Sequence, residues 1–212
     1  MVKKSFKGRV AQRVIPNKLM LWIPRYRKGR IMRCWSNDEL KKFAHLMGGD
    51  VVNVSGWKDI DKQGKHYVDY FTKAKSYTIT NFDADFKGFQ GYEGEIFLDL
   101  AKKLPKKLER AFDVVFNHTT LEHIYEVKKA FNNLCLMSRN IVIIVVPFHM
   151  NEHDKVDYWR MTPRCIRTQF KDNGFDVVYM SQSHHRFAVK HSYIFVIGQK
   201  YNQPQTNVRG IP

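Results

Sequence analysis

Phe112-Asp113-Val114-Val115-Phe116-Asn117-His118-Thr119-Thr120 reads as a short apolar strand with a polar tip. A helix is expected next, with Leu121, Ile124, Val127, Ala130, Phe131 and Leu134 on one stripe. Ile141-Val142-Ile143-Ile144-Val145-Val146 follows, six β-branched residues in a row, stopped by Pro147. A run with no polar alternation predicts a strand buried on both faces. Two such strands joined by a helix make a parallel crossover unit. Ligands of open α/β sheets sit outside the carboxyl ends of the strands. Those ends are Asn117-His118 and Pro147-Phe148-His149, so polar chemistry gathers where a site is expected.

Other elements are read outward from this centre. Ser36 and Glu39 form a capping-box pattern for a helix with Leu40, Phe43, Ala44 and Met47 on its apolar stripe, ended by Gly48-Gly49. Asp50 to Ser55 reads as the first strand, with Gly56 at its exit, followed by a polar loop and a short helix around residues 66 to 72. Ser76 to Thr80 and Ile96 to Leu100 read as two further strands, with a reduced connection between them. Thr162 caps a helix that has Pro163 at its first position, and Gly174 ends it. Residues 176–181 and 191–197 predict a closing antiparallel pair. The expected fold is α/β: Rossmann-like, with a mostly parallel central sheet, helices on both faces and a C-terminal antiparallel hairpin. The expected organisation is a basic arm over 1–35, a domain over 36–200 and a tail over 201–212.

A chain of 212 residues suits one domain with a substantial core. Apolar content of 43% and aromatic content of 14% argue against disorder. No apolar run approaches the roughly 20 residues that cross a bilayer, and no signal segment stands out near the N-terminus. Cys34, Cys135 and Cys165 are odd in number, widely spaced and without a zinc pattern, which points to a reducing, cytoplasmic setting. The net charge of +16 is uneven, because residues 1 to 37 hold eleven Lys or Arg and no Asp or Glu. Such an arm attracts a polyanion: nucleic acid, an anionic membrane surface or a phosphorylated substrate. A solvated basic tail without a dedicated partner accounts for it equally well. Trp22, Tyr26 and Trp35 among the arginines suit stacking on bases or sugars, or anchoring of the arm to the domain.

Phe112-Asp113-Val114-Val115, Leu121-Glu122-His123 and Val145-Val146-Pro147, in that order, resemble the central part of class I S-adenosylmethionine-dependent methyltransferases. Asp157-Tyr158-Trp159-Arg160-Met161-Thr162-Pro163, closing at Asn173-Gly174-Phe175, resembles a type 11-like subgroup linked to sugar and cell-surface polymer pathways. The resemblance spans roughly residues 50 to 200. It implies S-adenosylmethionine as cofactor, with Ser55, Gly56 and Trp57 at the first strand exit. Family members usually show two or three glycines there, so the motif is degenerate in this chain. Trp57 either stacks on the ligand or fills its space. The resemblance also implies a ribose partner at Asn81, with Asp83 beside it, where the family has an acidic residue. Asp99 stands at the adenine position and also reads as an ordinary cap for residues 101–104. Asn117 stands between cofactor and acceptor.

His118 and His153 are candidate bases, since imidazole titrates near neutrality. Asp157 completes the candidate catalytic set, while Glu122-His123 reads as structural support. His149, Tyr158, Trp159 and Arg160 are candidate acceptor-binding residues, because rings beside charged groups suit a sugar or another hydroxylated molecule. His149, His153 and Asp157 have i, i+4 spacing without a helix to hold it, and no metal is expected.

The function implied is methyl transfer to a small or glycan-type hydroxylated acceptor. Two alternatives stand beside it. One is nucleic-acid methylation, which the basic arm favours and the absence of an Asn/Asp-Pro-Pro-aromatic signature at 117–120 disfavours. The other is a catalytically inactive scaffold that holds a polyanion through its arm.

Overall fold

The computed structural model describes residues 25–83, 88–183 and 192–201, with side chains from Arg33 onward. Residues 1–24 of the expected arm and the tail beyond Tyr201 lie outside the described residues. Seven strands form one sheet: β1 (Gly48–Val54), β2 (Lys73–Asn81), β3 (Glu95–Phe97), β4 (Phe112–His118), β5 (Ser138–His149), β6 (Phe175–Gln182) and β7 (Ser192–Lys200). Their spatial order is β3-β2-β1-β4-β5-β7-β6. The first five run parallel, and β7 lies antiparallel between β5 and β6. This is the expected mostly parallel sheet closed by an antiparallel hairpin.

Three α-helices cover the sheet among the described residues: α1 (Arg25–Ala44), α2 (Val127–Met137) and α3 (Pro163–Asp172). Helices α2 and α3 pack on one face through Phe131, Leu134, Ile166 and Phe170, against Val115, Val142 and Ile144. Helix α1 covers the other face through Leu40, Phe43 and Met47, against Phe116, Ile143 and Phe195. Residues 141 to 146 are all 1% exposed or less, as a strand covered on both faces requires. Thr162 accepts the Cys165 amide at 3.2 Å as the cap of α3, and Gly174, at φ 78°, follows its end.

Five sequence expectations need correction. Helix α1 begins at Arg25, so it runs through the expected boundary at 35/36. Ser36 is no cap: its hydroxyl donates to the Arg33 carbonyl at 2.9 Å and lies 2.7 Å from His118 Nε2. Pro147 does not stop β5, which continues to His149. The carbonyl of Val145 accepts the Thr119 amide on the β4 side. Two residues on, Pro147 faces that same side beyond the end of β4, where the ladder needs no N–H.

The expected helix from residue 121 is broken into a 3-10 turn, Leu121–His123, and α2. The break has a cause. The Glu122 carbonyl accepts the amides of Tyr158 and Trp159 at 2.8 and 3.3 Å. The Ile124 and Tyr125 carbonyls accept Trp159 Nε1 at 3.0 and 3.2 Å. Carbonyls that a continuous helix would bond internally instead hold a loop from elsewhere. Finally, residues 101–104 are not helical. Asp99 accepts the Ala101 amide at 2.8 Å in a turn, and β3 ends two residues before it.

Candidate active site

The sheet reverses its direction of growth between β1 and β4. Chain order runs outward through β2 and β3 on one side, and through β4 and β5 on the other. Such a switch point leaves a crevice outside the carboxyl ends of the two strands, because the connections leave on opposite faces. Ser55, Gly56 and Trp57 leave β1 there, and Asn117 and His118 end β4. Val54 and Asn117 are in register, and the Asn117 amide donates to the Val54 carbonyl at 2.9 Å. Asn117 is fully buried, yet its Oδ1 has no hydrogen-bond partner. A buried amide oxygen without a donor costs about 1–3 kcal/mol, and a ligand N–H or O–H would relieve that cost.

The β1 exit is held by polar side chains rather than by a following helix. Ser55 and Trp57 both have left-handed backbones, at φ 58° and 49°. Asn81 clasps this turn: its Oδ1 accepts the Trp57 amide at 2.7 Å and its Nδ2 donates to the Trp57 carbonyl at 3.1 Å. The same Nδ2 donates to Glu95 at 2.5 Å. Asn81, 2% exposed, is therefore occupied inside the protein rather than open to a ribose. Asp83, two residues beyond the end of β2, is exposed. Gly56 has a requirement of its own, since a Cβ there would meet the Asn53 amide at 2.6 Å. Asn53 in turn donates to buried Asp59 at 2.7 Å, where Tyr77 Oη and the Val68 amide also donate. The glycine at this exit thus accommodates an internal amide.

His118 lies under α1. The Ser36 hydroxyl donates to Arg33, so it accepts from His118 Nε2–H. Thr119 Oγ1 accepts from Arg33 and donates to His118 Nδ1 at 3.2 Å. With the imidazole neutral both ring nitrogens have a partner, Nε2–H donating to Ser36 and Nδ1 accepting from Thr119. Burial, then the Arg33 charge and that of Lys62, push its pKa well below the usual histidine value. The ring is sealed beneath a helix and is not positioned as a base for an acceptor.

This placement predicts a pH dependence. The unfolded imidazole takes up a proton below about pH 6.5 while the folded one does not, so stability falls as pH drops through that value. His118→Asn is expected to flatten the slope by up to about 1.4 kcal/mol per pH unit, measured by urea unfolding between pH 7.5 and 5.5. An unchanged slope would mean that other groups titrate.

The loop between β5 and α3 is organised by Arg160. Its guanidinium donates to both Asp157 oxygens, at 2.6 and 2.7 Å, and to the carbonyls of Met150, Asn151 and Trp159. The Asp157 carboxylate also accepts the His153 amide at 2.9 Å and sits 2.6 Å from His153 Nδ1. Its side chain is 0% exposed. Burial alone would raise this carboxyl, but the hydrogen bonds from Arg160 and His153 hold it at about 2. Asp157 and Arg160 therefore build the loop, and the Asp157 carboxylate is taken up by Arg160 and His153. His153, Tyr158 and Trp159 are exposed. Tyr158 meets the exposed Tyr125 ring edge-on at 5.5 Å, and Trp159 lies 6.4 Å from that ring. His149 ends β5 and is exposed.

Sequence reasoning gave Glu122-His123 a supporting role only, yet both face this loop. The His123 and His153 rings are 5.2 Å apart, and His123 Nδ1 lies 2.6 Å from the Val156 carbonyl. Glu122 is 2% exposed, and burial raises its carboxyl to about 7. The i, i+4 spacing that draws attention to residues 149 and 157 carries no signal for a pairing between two separate loops.

No family model matches the sequence, and no curated protein matches it. Solved structures do. Magnesium protoporphyrin IX methyltransferase from Synechocystis PCC 6803, solved with bound S-adenosylmethionine, is 16% identical with a TM-score of 0.51, over 81% of this chain and 79% of that one. The 1,6-didemethyltoxoflavin-N1-methyltransferase from Burkholderia thailandensis, solved with its substrate and S-adenosylhomocysteine, is 15% identical with a TM-score of 0.51, over 86% and 88%. A chain of the complex between the Haloferax volcanii Trm112 methyltransferase activator and a methyltransferase is 13% identical with a TM-score of 0.56, over 88% and 99%. The sheet order and the closing antiparallel hairpin, together with these neighbours, give this chain the fold of class I S-adenosylmethionine-dependent methyltransferases.

Proposed function

We propose that this protein is an S-adenosylmethionine-dependent methyltransferase acting on a small or glycan-type hydroxylated acceptor. The observation that carries the reading is the crevice between β1 and β4, where buried Asn117 Oδ1 lacks a donor beside the Ser55-Gly56-Trp57 turn. Asn117 and the 55–57 backbone would hold the cofactor's polar groups, with Asp83 and Asp99 at the tips of β2 and β3. When bound, the cofactor supplies an electrophilic methyl group. The chain's own task is to orient the acceptor, exclude water and take its proton, and positioning alone can contribute much of the rate. His153 is the base this reading favours. It is exposed, and the Asp157 carboxylate fixes its ring through Nδ1, leaving Nε2 to face outward chemistry. The Tyr125, Tyr158 and Trp159 rings offer an amphipathic platform beside it for an acceptor with apolar and hydroxyl faces. The free thiols of Cys34, Cys135 and Cys165 fit a reducing, cytoplasmic setting.

Calorimetric titration with S-adenosylmethionine and S-adenosylhomocysteine tests the reading. Micromolar binding, about −8 kcal/mol, is expected. Asp99→Ala should weaken it several-fold, and His153→Gln should leave it intact while slowing turnover in an acceptor screen that starts with sugars. One observation favours a second reading, a non-catalytic scaffold: Asn81 is tied to the Trp57 backbone where a ribose partner is expected. Absence of cofactor binding to folded protein would select that reading. It would also move attention to the basic N-terminal segment and its polyanion.

A further inference from the structure

Three ligand-type side chains converge where the broken helix meets the β5–α3 loop. Glu122, His123 and His153 each bring a ligand atom within 4.8 Å of the others. Each has the surroundings of a metal ligand. His123 Nδ1 faces the Val156 carbonyl at 2.6 Å, and a carbonyl can only accept, so that nitrogen carries the hydrogen. His153 Nδ1 faces the Asp157 carboxylate at 2.6 Å, which also accepts. In both neutral rings the lone pair is then on Nε2. Imidazoles that bind metals usually have this arrangement, with the second nitrogen donating to a carboxylate or a backbone carbonyl. The third member is a carboxylate, 2% exposed, whose Oε2 has no hydrogen-bond partner. A buried carboxylate oxygen without a donor is costly, and a cation would satisfy it.

We propose that Glu122, His123 and His153 form a binding site for a divalent first-row transition ion, with two imidazole nitrogens and one carboxylate oxygen as protein ligands. Two nitrogens disfavour Mg²⁺ and Ca²⁺, which take oxygen ligands. They suit Zn²⁺, Co²⁺, Fe²⁺ or Mn²⁺, and a three-ligand set leaves positions open to water or to an oxygen of a small molecule. Metal–ligand distances near 2.0–2.2 Å require the three groups to close inward by roughly 1 Å or less, within reach of side-chain rotation. The ion would cross-link the 3-10 turn before α2 to the loop before α3. An ion on His153 Nε2 would occupy the lone pair that a base needs, so the metal-bound protein would not use His153 as a base, and the site would exist in an enzyme or in a scaffold.

Co²⁺ titration of the full-length, tag-free, metal-stripped protein tests the proposal, read by visible d–d absorption and by calorimetry. The expected result is one equivalent bound at micromolar affinity, with a Tm that rises as Co²⁺ or Zn²⁺ is added. His153→Gln and His123→Gln should each weaken binding at least about tenfold. A His184→Asn/His185→Asn double variant should bind as the parent does. Glu122→Gln should also weaken binding, and if that variant fails to fold, His153→Gln at the exposed position decides. The proposal is overturned by lack of saturable binding up to millimolar Co²⁺. Binding that survives His153→Gln, or that disappears in the His184/His185 variant, overturns it as well.

Discussion

Asp157→Ala is expected to lower the stability of this protein by about 3 kcal/mol, the usual cost of breaking a desolvated ion pair by removing one partner. For a domain of this size that is a fall in Tm of roughly 10 °C. Asp157 holds two Arg160 nitrogens, the His153 amide and His153 Nδ1, so its loss leaves four donors without their acceptor at once. Arg160 links the same carboxylate to the carbonyls of residues 150, 151 and 159, and the loop loses its centre with it. Thermal melts followed by circular dichroism would measure the effect. The double variant Asp157→Ala/Arg160→Met should recover part of the loss, because no uncompensated charge remains. A change below about 0.5 kcal/mol for Asp157→Ala, the size of an ordinary surface substitution, would show that the loop is held by other contacts.

Gly198→Ala is expected to cost about 3 kcal/mol, at the upper end of overpacking effects. A Cβ at Gly198 would lie 2.3, 2.5 and 2.8 Å from three atoms of the Phe170 ring. The ring cannot step aside, since it meets Phe131 edge-on at 4.9 Å and Phe175 at 6.1 Å. Nor can the strand retreat, since Gly198 pairs with Val142 on β5 and Val177 on β6. A glycine inside a strand often marks this kind of close approach. Urea unfolding is the measurement, and Gly198→Ala/Phe170→Leu should be more stable than Gly198→Ala alone. A Gly198→Ala midpoint indistinguishable from the parent would mean that α3 shifts freely over β7.

The order and burial of the strands follow from local pattern. The unbroken apolar run at 141–146 predicts a strand covered on both faces, and Thr162-Pro163 with Gly174 brackets α3, because these signals reside in neighbouring residues. The polar ends of the strands that begin at Phe112 and Ser138 were likewise legible, because each directly follows an apolar run. What the sequence alone left undetermined, or led astray, depends on partners distant in the chain. The helix expected from residue 121 is interrupted because Tyr158 and Trp159 take its carbonyls. Ser36 reads as a cap and instead buries its hydroxyl against His118. Asn81 reads as a ligand contact and instead clasps Trp57. Asp157 reads as one of a candidate catalytic set, and in the fold its carboxylate is taken by Arg160 and His153. Apolar periodicity is a property of a segment, so the sequence determined which segments build the sheet and cover it. A polar side chain takes its role from whichever donor or acceptor folding brings within about 3 Å, and only the tertiary structure decided that.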